Sequence, residues 1–372
     1  MASSINSSNS TENEIYKYCL NLNIKLLDIH FKEISSFNKT FNEDAFLVRK
    51  DNEVEQRKRQ PDIQRNEDLL FRIRNKNSGI RIDNIVSKKN TFQKIELVNY
   101  LDNKLWMLLN SETYGDNEKS HYSLYEGDII KFGKMKFIVH EIKIIQDDSS
   151  KSESIASENI GANSYDDINK NSEEIFYKLP EIEKYKKCKF CPTYNVCLCN
   201  CRPEKLIHFQ CLKDQIDKSI NAINNQKKNI TSYIAENFNC KNCSSQYPIE
   251  FRIPKKYSSN ELIVMDKPKD SNYLILESYG YNNKKIVHLI RLKEDKITIG
   301  RNENNDLILD DPSIGDNHAE IIFDKKNQKL ILESLNNNFD TAVLVRKSIK
   351  INEKIINLQV GKMKFEANLK KI

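Results

Sequence analysis

Between Cys188 and Cys243 stand eight of the chain's nine cysteines, together with His208. The order is Cys188-x2-Cys191-x5-Cys197-x-Cys199-x-Cys201-x6-His208-x2-Cys211 and then, after a long gap, Cys240-x2-Cys243. Zinc takes four thiolate or imidazole donors at tetrahedral corners, and a Cys-x-x-Cys turn offers two thiolates at little backbone cost. Eight ligands at this spacing imply two structural zinc ions. Cys197 is a ninth candidate donor, so the second site could use Cys199 with Cys201 or Cys197 with Cys199. A disulfide framework is the competing reading. It needs an oxidising compartment, and the polar, Ser/Asn-rich stretch Met1–Glu14 has no apolar core of a signal peptide. The expectation is an intracellular, cytoplasmic protein in which clustered thiols bind metal. Cys19, far from the rest, is expected to be an ordinary core residue.

A length of 372 residues allows two or three domains. With 30% charged residues and a mean hydropathy of −0.66, the chain is polar for a compact protein. The net charge is only +6, and lysine and glutamate are interspersed, so no basic nucleic-acid arm is present. No apolar run is long enough to span a bilayer as a helix. No Ser-His-Asp set, glycine-rich phosphate loop or paired-carboxylate pattern supports another enzyme class.

The elements that must hold these residues divide the chain. Residues 1–13 read as disordered. Residues 14–146 carry period-two stretches such as Ile80-Arg81-Ile82 and Ile95-Glu96-Leu97-Val98. They end in the run Tyr122 to Ile142, punctuated by turns at Gly127-Asp128 and Gly133-Lys134. Residues 147–180 are polar and Ser-rich, a flexible linker. Residues 181–255 hold the zinc window, with a helix expected from Cys211 to about Ile234 because Leu212, Ile216, Ile220 and Ile223 recur at helical intervals. Residues 260–372 contain short strands at nearly regular spacing, beginning at Tyr273, Val287, Lys296, Leu307, Glu320, Lys329, Val343 and Ile355. That pattern is a β-sandwich.

The cysteine window resembles a RING-CH domain, through Cys188-Lys-Phe-Cys191, Cys199-Asn-Cys201, Ile207-His208-Phe-Gln-Cys211 and Cys240-Lys-Asn-Cys243 before Tyr247-Pro248. The resemblance implies a cross-brace in which Cys188, Cys191, His208 and Cys211 hold one ion and Cys199, Cys201, Cys240 and Cys243 the other. It also implies a RING-type ubiquitin-protein ligase that docks a ubiquitin-conjugating enzyme in a groove formed by Phe190, Gln215 and Pro248, with Gln215 where the family carries tryptophan. The C-terminal sandwich resembles a forkhead-associated (FHA) domain, through Ile299-Gly300-Arg301, Asp306 and Asp311-Pro-Ser313-Ile-Gly-Asp-Asn317-His318. Residues 14–146 resemble a degenerate second FHA domain, chiefly through the Gly127 to Ile142 hairpin. The fold class implied is mainly β, with FHA-like β-sandwiches flanking a small α/β zinc domain.

Glycine before arginine suits a sharp exit from a strand, and the guanidinium offers a planar fork for phosphate oxygens. Gly315 and Asp316 stand where a phosphothreonine reader carries a serine and a basic residue, and Phe339-Asp340-Thr341 replaces its Asn-Gly-Thr. Ser313 is the substitute hydroxyl, and Asn317 and His318 complete the loop. The implied function is a zinc-binding protein-interaction factor, with a ligase and a non-catalytic scaffold as its two forms. Protein partners are expected, with phosphothreonine peptide disfavoured, and neither nucleic acid nor a membrane span.

Overall fold

Period-two alternation dominates this chain, and the computed structural model resolves it into strands. It describes residues 18–27, 33–41, 45–50, 53–58, 67–76, 79–84, 104–109, 121–145, 209–225, 229–240, 246–252, 259–279, 284–335, 340–346, 348–350, 356–361 and 363–371. The first half contributes β1 (Tyr18–Leu27), β2 (Glu33–Phe41), β3 (Ala45–Lys50), β4 (Glu53–Arg57), β5 (Glu67–Lys76) and β6 (Gly79–Asn84). After these come β7 (Leu105–Leu108), β8 (His121–Leu124), β9 (Ile129–Phe132) and β10 (Met135–Lys143). The middle holds α1 (Phe209–Asp217), β11 (Ile220–Asn225), β12 (Ile230–Ala235), β13 (Glu250–Arg252) and β14 (Ser259–Glu261). The last third gives β15 (Tyr273–Ser278), β16 (Lys285–Arg291), β17 (Lys296–Gly300), β18 (Leu307–Ile308), β19 (Ala319–Asp324) and β20 (Lys329–Ser334). It closes with β21 (Thr341–Leu344), β22 (Ser348–Lys350), β23 (Ile356–Val360) and β24 (Met363–Lys371).

These strands build one twelve-stranded sheet, in the order β11-β12-β16-β15-β10-β9-β21-β7-β23-β24-β1-β2, two five-stranded sheets, β18-β17-β19-β20-β8 and β22-β6-β5-β3-β4, and the two-stranded ribbon β13-β14. Each five-stranded sheet closes a core against a different part of the long one. In the first core Ile297, Ile299, Ile321 and Leu332 meet Ile130, Phe137, Val139, Leu274, Leu276 and Val343. In the second, Ala45, Leu47, Phe71, Ile73 and Ile82 meet Leu105, Leu358, Val360 and Phe365. Two facing sheets with apolar inner faces make a sandwich, so the described residues form two. Strand β15 is buried along its whole length because its outer face is also covered. There Tyr273 and Ile275 pack with Leu212 and Ile216 of α1 and with Tyr233, Phe238, Tyr247 and Leu262. The near-continuous apolar run Tyr273-Leu-Ile-Leu suits such two-sided burial.

Hydrogen-bonded pairing runs across the expected boundaries at 146 and 260. Strand β10 pairs with β15, β9 with β21 and β8 with β20. The hairpin of β9 and β10, the main basis for reading a sandwich into residues 14–146, therefore sits in the same core as residues 273–344. Its turns fall where expected, with Gly127 and Gly133 at φ of 76° and 55°.

The helix expected from Cys211 to Ile234 is corrected. It ends at Asp217, where the Ser219 backbone N–H and Oγ donate to the Ile216 carbonyl at 2.8 Å each. The chain then forms the hairpin β11-β12, and β12 pairs with β16. Leu212 and Ile216 are buried as the helical reading requires, but Ile223 is 52% exposed. Isoleucine and asparagine favour a paired strand and turn over a helix interior, and Asn229 takes a left-handed turn at φ 55°. The stretch Ile95 to Val98 lies outside the described residues.

Candidate functional site

Strand β17 delivers Arg301 to one end of the first sandwich. The loop after it is clamped: the Arg301 N–H donates to the Gly315 carbonyl at 3.0 Å, and the Asn302 N–H to the Asp316 carbonyl at 3.1 Å. The His318 N–H donates to the Ile299 carbonyl at 2.8 Å. Gly300 is required here by approach, not by torsion. A Cβ on it would lie 2.1 Å from the Asp316 carbonyl oxygen and 2.7 Å from Asn305 Nδ2. Asn305 is buried and its Nδ2 donates to the carbonyls of Asn302 and Asp316, at 3.0 and 2.6 Å. Asp306 ties the loop to β17, its Oδ2 accepting from Thr298 N and Oγ1 at 2.8 Å each.

His318 is fully buried. Its Nδ1 accepts from the Gly315 N–H at 3.1 Å, and its ring stands edge-on to Phe132 at 5.7 Å. Burial pushes the imidazole down to about 4, with the Asp340 backbone working in the opposite direction. At neutral pH it is an uncharged brace between the Gly315 and Ile299 backbones.

The groups that could meet a ligand are already engaged. Arg301 Nη2 and Nε both donate to Asp316 Oδ1, at 2.9 and 3.2 Å, on an exposed edge. The carboxylate thus lies in the fork that a phosphate would need. Ser313 Oγ donates to Asp311 Oδ1 at 2.6 Å and accepts from the Lys134 N–H at 2.8 Å. Asn317 is exposed. The Gly133 N–H donates to the Asp340 carbonyl at 2.9 Å, and Lys364 Nζ donates to Asp340 Oδ1 at 2.8 Å. Sequence reading placed Arg301, Ser313, Asn317 and His318 at one end of one sandwich. It missed Gly133, Lys134 and Asn305 at this end, of which only Asn305 lies close enough in sequence to be found.

Of the eight expected zinc ligands, the described residues include Cys211 and Cys240. Cys211 is half-buried on α1, and Cys240 is buried beside Leu212, Ile216, Phe238 and Tyr247. A β-bridge between Asn239 and Gln246, with the Tyr247 N–H donating to the Phe238 carbonyl at 3.0 Å, closes the loop that opens with Cys240. Gln215 is exposed on α1 and Pro248 is half-buried between Tyr247 and Ile249. Cys188, Cys191, Cys197, Cys199, Cys201, His208, Cys243 and Phe190 lie outside the described residues.

Behind β15 lies a buried charged cluster that joins the hairpin to this region. Lys285 Nζ pairs with Glu277 and donates to Gln246 Oε1 at 3.0 Å and to the Ser278 carbonyl at 2.9 Å. His140 Nδ1 lies 3.2 Å from Glu277 Oε2, and its Nε2 lies 3.7 Å from Glu250 Oε2. Burial opposes charge on His140, yet the Glu250 and Glu277 carboxylates raise it to about 9. Burial likewise opposes charge on Glu277, yet Lys285 and His140 hold it at about 2.

The FHA domain family matches residues 297–361. The chain therefore carries an FHA domain, and a protein-interaction role follows from it. No curated protein matches the chain. Among the described residues, no helix is long and apolar enough to cross a membrane.

Proposed function

We propose that this protein is a protein-interaction factor whose FHA loop end docks a partner without requiring phosphate. The observation that carries this reading is the Asp316 carboxylate in the fork of Arg301. A dianionic phosphate would have to displace a bound anion and then sit beside it, at a loop end where the Ser313 hydroxyl already serves Asp311 and Lys134. A selection from matched phosphothreonine and unphosphorylated peptide libraries tests it. Comparable recovery from both libraries is expected. Recovery confined to phosphorylated peptides, and lost in Arg301→Ala, would sink the reading.

The second module is a RING-CH-type zinc domain. Cys188, Cys191, His208 and Cys211 would hold one ion, and Cys199, Cys201, Cys240 and Cys243 the other. The thiolate-rich donor set and the pinched loop that opens with Cys240 support it. With four protein ligands each, the ions staple the segment and leave no open position for chemistry. A ligase of this kind works by docking a ubiquitin-charged conjugating enzyme in a reactive pose, through Phe190, residue 215 and Pro248. Exposed Gln215 offers no aromatic anchor there, and such anchors often contribute about 2 kcal/mol or more. The scaffold form is therefore favoured over the ligase form. Timed discharge of ubiquitin from a panel of charged conjugating enzymes separates the two. The scaffold gives no acceleration, whereas acceleration abolished by Cys199→Ser with Cys201→Ser would establish a ligase.

A further inference from the structure

The pentapeptide Gly-Lys-Met-Lys-Phe occurs twice, at Gly133–Phe137 and at Gly361–Phe365. Both copies turn a hairpin in the same way. Gly133 and Gly361 have φ of 55° and 56°, and the flanking pairs are Phe132 with Met135 and Val360 with Met363. Lys131 and Gln359, at equivalent positions two residues before each glycine, bond to one another at 2.8 Å.

The correspondence extends through both sandwiches except at one outer edge, where β4 pairs antiparallel with β3 but β18 pairs parallel with β17. Ala45 pairs with Ile73 and Leu47 with Phe71, as Ile297 pairs with Ile321 and Ile299 with Ala319. Ile73 then pairs with Ile82 and Ile82 with Ile349, as Ile321 pairs with Leu332 and Leu332 with Tyr122. Strand β24 lies between β23 and β1, as β10 lies between β9 and β15.

Strands β7 and β21 meet at the centre. Met107 pairs with Val343, flanked by Trp106 with Leu344 and Leu108 with Ala342. The Leu109 N–H donates to the Thr341 carbonyl at 2.8 Å, and the Val345 N–H to the Leu105 carbonyl at 2.9 Å. That pattern is unchanged when the two strands are interchanged, the mark of a two-fold axis. Met107 touches both cores.

We infer that the chain is an internally duplicated pair of FHA-type sandwiches that have exchanged their closing strands across this axis. One sandwich is made by β1 to β7 with β22 to β24, and the other by β8 to β10 with β15 to β21. After β7 the chain leaves the first sandwich to supply β8, β9 and β10 to the second, and after β21 it leaves the second to supply β22, β23 and β24 to the first. The segment 297–361 that matches the FHA family is itself divided, with residues up to Val343 in one core and Val345 onward in the other. The loop end of the FHA site depends on the exchange, because Gly133 and Lys134 come from the other half of the chain.

The intact protein tests this when a site-specific protease sequence is inserted after Ser157 and then cleaved. The two fragments are expected to remain a one-to-one complex in gel filtration and native mass spectrometry, separating only in denaturant. Two cysteine pairs then distinguish exchange from simple adhesion. Ser123 and Ile331 are opposed partners and both half-buried, so Ser123→Cys with Ile331→Cys is expected to link the two fragments covalently, as read by peptide mapping. Without exchange, β8 would take the place of β22 beside β6, where Arg81 is opposed by Lys350, and Ser123→Cys would link to Arg81→Cys instead. Separation of the cleaved fragments would overturn the inference. So would the Arg81 link, or a stable complex in which the Ser123 and Ile331 pair fails to form a disulfide.

Discussion

The two sandwiches share the order and pairing of their core strands but not chemistry. In one, β17 ends at Gly300, whose bare backbone lets the Asp316 carbonyl approach, and β19 is preceded by buried His318. In the other, the residue after Leu47 is Val48 and the residue before Phe71 is Leu70. The apolar frame is met by both, since Ala45, Leu47, Phe71 and Ile73 are as buried as Ile297, Ile299, Ala319 and Ile321. The difference teaches that core periodicity sets the sandwich, whereas the loop end needs particular residues that one copy alone retains.

The largest effect is expected at the seam that the two sandwiches share. Trp106 is buried where β7 joins the two halves, and Lys131 Nζ lies 5.2 Å from its ring centre. Trp106→Ala is expected to cost about 3–5 kcal/mol in urea unfolding and to loosen both sandwiches together. A transition that affects one sandwich only would show that the seam is not shared.

Next in size is Gly300→Val, which gives the FHA copy the valine of its counterpart. A side chain aimed at the Asp316 carbonyl forces the 301–306 loop away, at roughly 3 kcal/mol by thermal unfolding. The loss should be local, with amide exchange rising at Arg301, Asn302 and His318 first.

The buried cluster behind β15 belongs to the FHA copy and gives it a pH signature. His140 is raised from 6.5 to about 9, so its contribution is complete below about pH 6.5 and is lost as pH rises through 9. Glu277 is lowered from 4.5 to about 2, so its contribution is present above about pH 4.5 and is lost as pH falls through 2. The melting temperature should fall between pH 6.5 and 9, and His140→Gln should flatten that limb.

Sequence pattern made much of this legible. Strands β17 and β20 follow from period-two alternation and β15 from a short apolar run bounded by polar turns, and Gly127 and Gly133 mark their turns because left-handed torsion favours glycine. Arg301 and His318 could be placed because their neighbours in sequence are also their neighbours in space. Pairing between distant strands was not legible. The two copies of Gly-Lys-Met-Lys-Phe are identical, so nothing local says which core each one closes. The hairpin β11-β12 was hidden because isoleucines four apart satisfy a helix and, with intervening residues, a strand as well; pairing with β16 decides it. The use of Ser313 by Lys134 could not be read either, because 179 positions separate them.

The smallest effect belongs to the exposed ion pair. Arg301→Ala should change stability by less than about 1 kcal/mol, since its partner Asp316 is exposed to solvent. Its effect should appear in partner binding instead.

Titration of a phosphothreonine peptide into the wild-type protein and into Asp316→Ser, followed by calorimetry, shows whether Asp316 closes the Arg301 fork to phosphate. The wild type is expected to show no phosphate-dependent binding, with a gain of at least about fivefold in affinity once the carboxylate leaves the fork of Arg301. Tight, phosphate-dependent binding by the wild type, unchanged or weakened in Asp316→Ser, would contradict that expectation.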